Sequence, residues 1–208
     1  LLVREKMVKL VMEKEHMEKL YSSGNPFVRY INNKRLDEIC KLLPRDKEIK
    51  ILDAGCGEGQ LLEKIEKMKY KNLYGVDVTK VALEDARKRV KAKLFLQNLN
   101  KLNFSDKFFD VVVCTEVIEH IPDYKKALNE FKRILKKNGL LIISFPNEPL
   151  CVLMRIIFLR NPRIKDHVNS FSVKRMKKAV KLKMIKKINL PLNLPDFLSL
   201  IHILAFKN

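Results

Sequence analysis

The chain has 208 residues, 47% of them hydrophobic and 32% charged, which suits one folded domain with a sizeable core and excludes a disordered chain. Its formal net charge is +19 and its pI about 9.8, compatible with nucleic acid, an anionic lipid surface, an acidic substrate or merely solvated basic faces. No run of about 18 apolar residues is present, so no segment is expected to span a membrane, and no secretory signal is visible.

In chain order, Val3, Met7, Leu10, Met17 and Tyr21 have helical spacing over residues 2–21, and "SSGNP" ends that helix. A second amphipathic helix over 27–43 carries Val28, Ile31, Leu36, Ile39 and Leu42, and Pro44 closes it. The rhythm then changes to short apolar runs alternating with amphipathic stretches. "IKILDAG" is expected as a strand with a helix over 59–68, and "NLYGVDV" as a strand with a helix over 79–91. "KLFLQ" and "FDVVVCT" follow as strands, then a helix over 123–136 and the strand "GLLIISF". Continuous apolar strands joined by helical crossovers predict a parallel sheet covered on both faces, a doubly wound α/β domain. Beyond Pro146 the chain offers a very apolar helix over 149–160, a basic loop, a helix over 173–183, and the strands "MIKKINL" and "LIHILAF". Cys40, Cys56, Cys114 and Cys151 form no C-x-x-C or zinc spacing and read as reduced thiols of a cytoplasmic protein.

Half of the six glycines fall at 55, 57 and 59, in "ILDAGCGEGQLL". Glycines between a strand and a helix let the backbone take positive φ and approach a ligand at the helix N-terminus. A triphosphate loop would carry G-x-x-x-x-G-K-[ST], and this turn has no such lysine. A dinucleotide loop would carry G-x-G-x-x-G, and here the third glycine comes one residue early. A nucleoside without phosphates remains, with Asp53 as a nearby acid. Asp77, at the end of "YGVDV", is placed to accept the two hydroxyls of a ribose.

"ILDAGCGEGQLL", "YGVDV" and "FDVVVCTEVIEHIPD" together resemble the class I S-adenosylmethionine-dependent methyltransferases, over roughly residues 28–150, and among them the quinone-biosynthesis O-methyltransferase-like group. The resemblance implies a Rossmann-like doubly wound sheet of seven strands, mostly parallel with the last antiparallel, with N-terminal helices and a helical lid after the fifth strand. It implies one methyltransferase domain over 1–208, with a cap at 1–45, a cofactor-binding core at 46–146 and a lid with the last strands at 147–208. It further implies that Asp53, Gly55 and Gly57 line the methionine moiety of S-adenosylmethionine and that Asp77 holds the ribose. Cys56, Val78, Asn98, Leu99 and Thr115 complete the expected cofactor shell. "LQNLNKLNF" departs from the family pattern, having Asn98 where an acid commonly takes the adenine amino group; an amide carbonyl can accept the same bond.

In "TEVIEHIPD", a helical turn would put Glu116 beside Glu119 and His120 on one face, and His167 follows in "KDHVNSF". These four are the candidate catalytic residues for a small-molecule oxygen acceptor, without a metal. The same four resemble the cation site of the small-RNA 3′-terminal ribose 2′-O-methyltransferases, so a metal-assisted RNA reaction is the alternative. Residues 155–187 contain twelve Lys or Arg and one acid, which RNA phosphates, an anionic membrane surface or solvent alone would satisfy. A subunit that binds the cofactor without turning it over is a further alternative. The family's architecture places Tyr21, Arg29 or Tyr30 near the acceptor.

Overall fold

The computed structural model describes residues 25–157 and 167–208; the expected helix over 2–21 and the loop at 158–166 lie outside the described residues. Helix α1 (Pro26–Leu42) begins where the Asn25 side chain accepts from the Phe27 and Val28 amides, with Pro26 in the first turn. Then come β1 (Lys50–Ala54), α2 (Gln60–Lys67), β2 (Asn72–Asp77), α3 (Lys80–Arg89), β3 (Lys93–Leu96) and β4 (Phe109–Thr115). A short 3₁₀ turn (Ile118–His120) leads to α4 (Tyr124–Ile134), β5 (Leu135–Pro146) and α5 (Glu148–Ile157). The chain closes with α6 (Val173–Val180), β6 (Lys183–Leu190), a 3₁₀ turn (Asp196–Leu198) and β7 (Ile201–Lys207).

The strands form one seven-stranded sheet in the order β3-β2-β1-β4-β5-β7-β6. β1 to β5 run parallel, and β7 lies antiparallel between β5 and β6. The apolar runs become strands because both sheet faces are covered, so consecutive side chains are buried in turn. Val111 and Val113 pack with Ile39 of α1 and Ile65 of α2, whereas Val112 and Cys114 pack with Phe131 of α4 and Met176 of α6. In α6 the lysines are exposed while Met176 and Val180 are fully buried, so its basic residues form the outer face of a packed helix.

Two boundaries differ from the sequence reading. β5 starts at Leu135, ahead of the "GLLIISF" run, because Leu135 pairs with Phe109 before an irregularity in the register resumes at Leu140. Asn138, at φ 63°, turns the chain there, and its amide donates to the carbonyl of Asn208. α6 ends at Val180 instead of 183, where Lys181 adopts a left-handed conformation (φ 57°) and caps the helix. Among the described residues, no helix is long and apolar enough to cross a membrane.

Candidate active site

The carboxyl ends of β1, β2, β4 and β5 carry the site, as expected for an open α/β sheet. The turn after β1 is stapled to β2: the Gly55 and Cys56 amides both donate to the Val76 carbonyl, at 2.7 and 3.0 Å. Gly57 donates its amide to Asp77 Oδ2 at 2.9 Å, and Thr79 donates to Asp77 Oδ1 at 2.8 Å. Asp77 is thus held in one orientation, and each oxygen keeps a lone pair for a further donor. Gly55 has φ 88°, and a Cβ built there would lie 2.5 Å from Val117 Cγ2. Glycine at this position is therefore required by the protein's own packing as much as by any ligand.

Asp53 is 1% exposed and its Oδ1 has no hydrogen-bond partner. Burial, with the charge of Asp77 second, pushes its carboxyl up to about 7. An orphaned buried acid beside a second acid suits a cationic ligand and repels a pyrophosphate, so these residues fit a sulfonium nucleoside. Val78 stands 58% exposed at the tip of β2, a large apolar surface at the mouth of the same site. Leu99 is buried, whereas Asn98 is exposed and its carbonyl already accepts the Asn100 amide at 2.9 Å. Cys56 is buried, and burial drives its thiol far up, so it is inert.

The stretch after β4 departs from the expected helical turn. Glu116 adopts φ 53°, which separates it from the 3₁₀ turn that holds Glu119 and His120. Its Oε1 accepts the Ser144 hydroxyl at 2.9 Å, Ser144 and Thr115 share a 2.7 Å hydroxyl contact, and its Oε2 lies 3.7 Å from buried Arg35 of α1. Arg35 was not foreseen, and α1 reaches the site through it. Tyr30 instead faces a groove of about 750 Å³ beside α2, with Lys64 and Met68. Tyr21 lies outside the described residues.

The structure does bring Glu119, His120 and His167 together. Among the described residues they form a group of potential ligand atoms all within 4.8 Å of one another, to which Glu116 does not belong. The two imidazole rings meet edge to face at 4.7 Å. His167 arrives because its segment is tied to the 3₁₀ turn: the Val168 and Asn169 amides donate to the Glu119 carbonyl, and Asn169 Nδ2 donates to Ile121 O. Neither carboxylate oxygen of Glu119 has a hydrogen-bond partner, and burial, then the charge of Glu116, pushes its carboxyl well above the usual range. His167 Nδ1 lies 2.5 Å from Glu148 Oε1 in the first turn of α5. Glu148 was also missed; its sequence signal is an acid opening a mostly apolar helix.

A mostly parallel seven-stranded sheet with β7 reversed, a glycine turn stapled to an acid on β2, and an acid and histidine cluster after β4 define a doubly wound α/β protein with a candidate nucleoside site at its strand ends. The comparisons give the family. Residues 52–143 match the family described as a methyltransferase domain. An uncharacterised protein of Methanocaldococcus jannaschii is 32% identical over 165 residues, covering 75% of this chain and 71% of its own. The ubiquinone biosynthesis O-methyltransferase of Actinobacillus pleuropneumoniae is 31% identical over 140 residues, 62% of this chain; the match spans 59% of that enzyme's length. The magnesium protoporphyrin IX methyltransferase of Synechocystis, solved with S-adenosylhomocysteine bound, superposes with a TM-score of 0.71 over 93% of each chain at 18% identity. The chain belongs to the class I S-adenosylmethionine-dependent methyltransferases and is an enzyme whose cofactor is S-adenosylmethionine.

Proposed function

We propose that the chain methylates a hydroxyl oxygen of a small-molecule acceptor. The observation that carries this reading is the Glu148–His167 pair, set beside His120 and Glu119. A carboxylate at Nδ1 holds the proton there and leaves Nε2 of His167 as the acceptor for a hydroxyl proton. Glu119 is too deeply buried to ionise readily and shapes the wall next to the base. The relatives named as ubiquinone biosynthesis O-methyltransferases support an oxygen acceptor.

When bound, the cofactor supplies a methyl group already activated on sulfur. The chain's own task is alignment, which brackets the acceptor between the base and the strand ends. In this reading Asp77 takes the ribose hydroxyls, and Val78 and Leu99 flank the adenine. Asn98 keeps one lone pair for the adenine amino group. Asp53 faces the cationic methionine end, with Gly55, Cys56, Gly57 and Thr115 around it. Arg35 and Ser144 orient Glu116 at the acceptor's edge.

The test is transfer of labelled methyl from the cofactor into a cell extract, separated into RNA, lipid and small-molecule fractions. The label is expected in small molecules, in a base-stable ether. Label confined to RNA or to an amine nitrogen would overturn the reading. His167→Ala is expected to lower turnover roughly 10²–10⁴-fold, the usual contribution of a general base.

A second reading is favoured by the 4.8 Å grouping of Glu119, His120 and His167: a divalent cation held there would polarise an RNA ribose hydroxyl. The exposed lysines of α6 and β6 would then meet phosphates. It requires activity that EDTA abolishes and a cation restores, together with RNA binding that weakens steeply with salt.

A further inference from the structure

That chemistry leaves a cavity beside the site unused. It has a volume of about 420 Å³ and adjoins the site along the chain: Asn147 and Pro149, which flank Glu148, line it, as do Ser170 and Phe171 beyond His167. Its other side is the β6–β7 connection, with Phe197, and β7, with His202. The volume falls in the range of small-ligand pockets.

His202 is the informative residue. It is 3% exposed, and its Nδ1 lies 2.9 Å from Asn189 Oδ1. The orientation of the Asn189 amide is fixed, because its Nδ2 donates to Leu194 O at 2.7 Å and to Asp196 Oδ1 at 2.9 Å. The oxygen therefore faces the ring, Nδ1 carries the hydrogen, and Nε2 is a bare lone pair. Burial lowers the affinity of this ring for a second proton; the neighbouring charges of Asp196, which raises it, and Lys187, which lowers it, follow in that order. Among the described residues nothing donates to Nε2. An acceptor that opens on a cavity and takes no donor from the described residues is available to the O–H or N–H of a ligand.

The walls restrict that ligand further. Phe171 forms a buried wall, and Phe197 is left 72% exposed on the connection. Arg175 is fixed by its donation to the Ser170 carbonyl, with its guanidinium 5.0 Å from the Phe171 ring centre, and Lys174 is exposed beside it. The one acid lining the cavity, Asp196, is paired with Lys187 at 2.6 Å, so the local balance is positive.

We propose that this cavity is a recognition pocket for the distal end of the methyl acceptor, and that it takes a planar ring bearing an O–H or N–H donor for His202 and an anionic group for Lys174 and Arg175. Its role in acceptor recognition rests on the small-molecule reading above; its ligand chemistry does not. His202 pairs with Phe145 of β5, and β5 pairs with β4, so two strand spacings, roughly 10 Å, separate the ring from β4. In this proposal the acceptor reaches from its nucleophile at His167 to its acidic ring in the pocket.

The probe is 4-hydroxybenzoate, titrated by calorimetry into the full chain loaded with S-adenosylhomocysteine, with benzoate and 4-hydroxybenzyl alcohol as controls. 4-Hydroxybenzoate is expected to bind about tenfold more tightly than either control, the effect of one hydrogen bond or one screened ion contact. His202→Phe is expected to erase the advantage over benzoate, and Lys174→Glu the advantage over the alcohol, with S-adenosylhomocysteine affinity retained as the check on folding. Equal affinity for the three compounds, or none, overturns the proposal. A tenfold advantage over benzoate that survives His202→Phe overturns it as well. The acceptor role is read separately: His202→Phe is expected to raise KM for the methylated compound found in the extract screen. An unchanged KM removes the pocket from acceptor recognition and leaves the O-methyltransferase reading standing. Selective binding with no small molecule methylated keeps the pocket and sinks that reading.

Discussion

Gly55→Ala isolates what the glycine turn does. The residue sits at φ 88°, where a side chain strains the backbone by about 1–2 kcal/mol. The new Cβ would also lie 2.5 and 2.7 Å from the two γ carbons of Val117, a stiff β-branched side chain with no flexible end to retreat. Overpacking of this kind adds about 1–3 kcal/mol. The total, roughly 2–5 kcal/mol, corresponds to a fall in Tm of about 2–4 °C for each kcal/mol in a domain of this size. Urea unfolding of four proteins separates the two parts: wild type, Gly55→Ala, Val117→Ala and the double variant. Val117→Ala is expected to relieve the clash in the double variant and recover about 1–3 kcal/mol of the loss, leaving the backbone part. Additive losses would show that Val117 is not what excludes a side chain at residue 55. Unchanged stability of Gly55→Ala would refute the reasoning altogether.

Other expectations follow from the same geometry. Asp53 titrates near 7 in the folded chain against an ordinary 3.8, so the folded state binds the extra proton and stability falls as pH rises between those values. Asp53→Asn should flatten that slope in unfolding measurements. Binding of the cationic cofactor favours the carboxylate, so it should release a proton near pH 6 and none above about pH 8. Calorimetry in buffers of different ionisation enthalpy reads this directly, and Asp53→Asn should abolish it. Glu148→Gln keeps an acceptor for His167 and is expected to retain much of the activity, whereas Glu148→Ala frees the ring and should lower turnover roughly 10²-fold, measured at saturating cofactor. Asn25→Ala removes the cap of α1 and should destabilise the protein by about 1 kcal/mol in urea, with catalysis unaffected.

The sheet was legible because its signal is local and repeated: the parallel strands from "IKILDAG" to "GLLIISF" are short apolar runs of the kind that parallel packing demands. The cluster after β4 was legible in composition and misread in shape. Helical spacing joined Glu116 to Glu119 and His120, but a non-glycine residue at positive φ carries no sequence mark, and at 53° Glu116 turns toward Ser144 and Arg35 instead. Glu148 and His167 are 19 positions apart, and they meet only because Val168 and Asn169 donate to the Glu119 carbonyl. No spacing rule encodes a contact made through a third segment.

The glycines themselves teach a narrower lesson. The sequence suggests that they clear room for a ligand, yet side chains at 55 and 59 would meet Val117 and Ala86, parts of the protein. Their arrangement sets the loop's path, and any of several nucleotide folds needs such a path. Selection among ligands falls instead to the acids that the loop brings together. Asp53 is buried with its Oδ1 unpartnered, and Asp77 is pinned by the Gly57 amide. A pyrophosphate in that position would face two carboxylates in a medium of low polarity, where like charges repel by several kcal/mol. In the proposed reading a sulfonium with an α-ammonium group meets Asp53 as a counter-charge, while Asp77 takes the ribose. The glycine turn is therefore permissive, and in that reading it is the buried acid Asp53 that favours a cationic nucleoside.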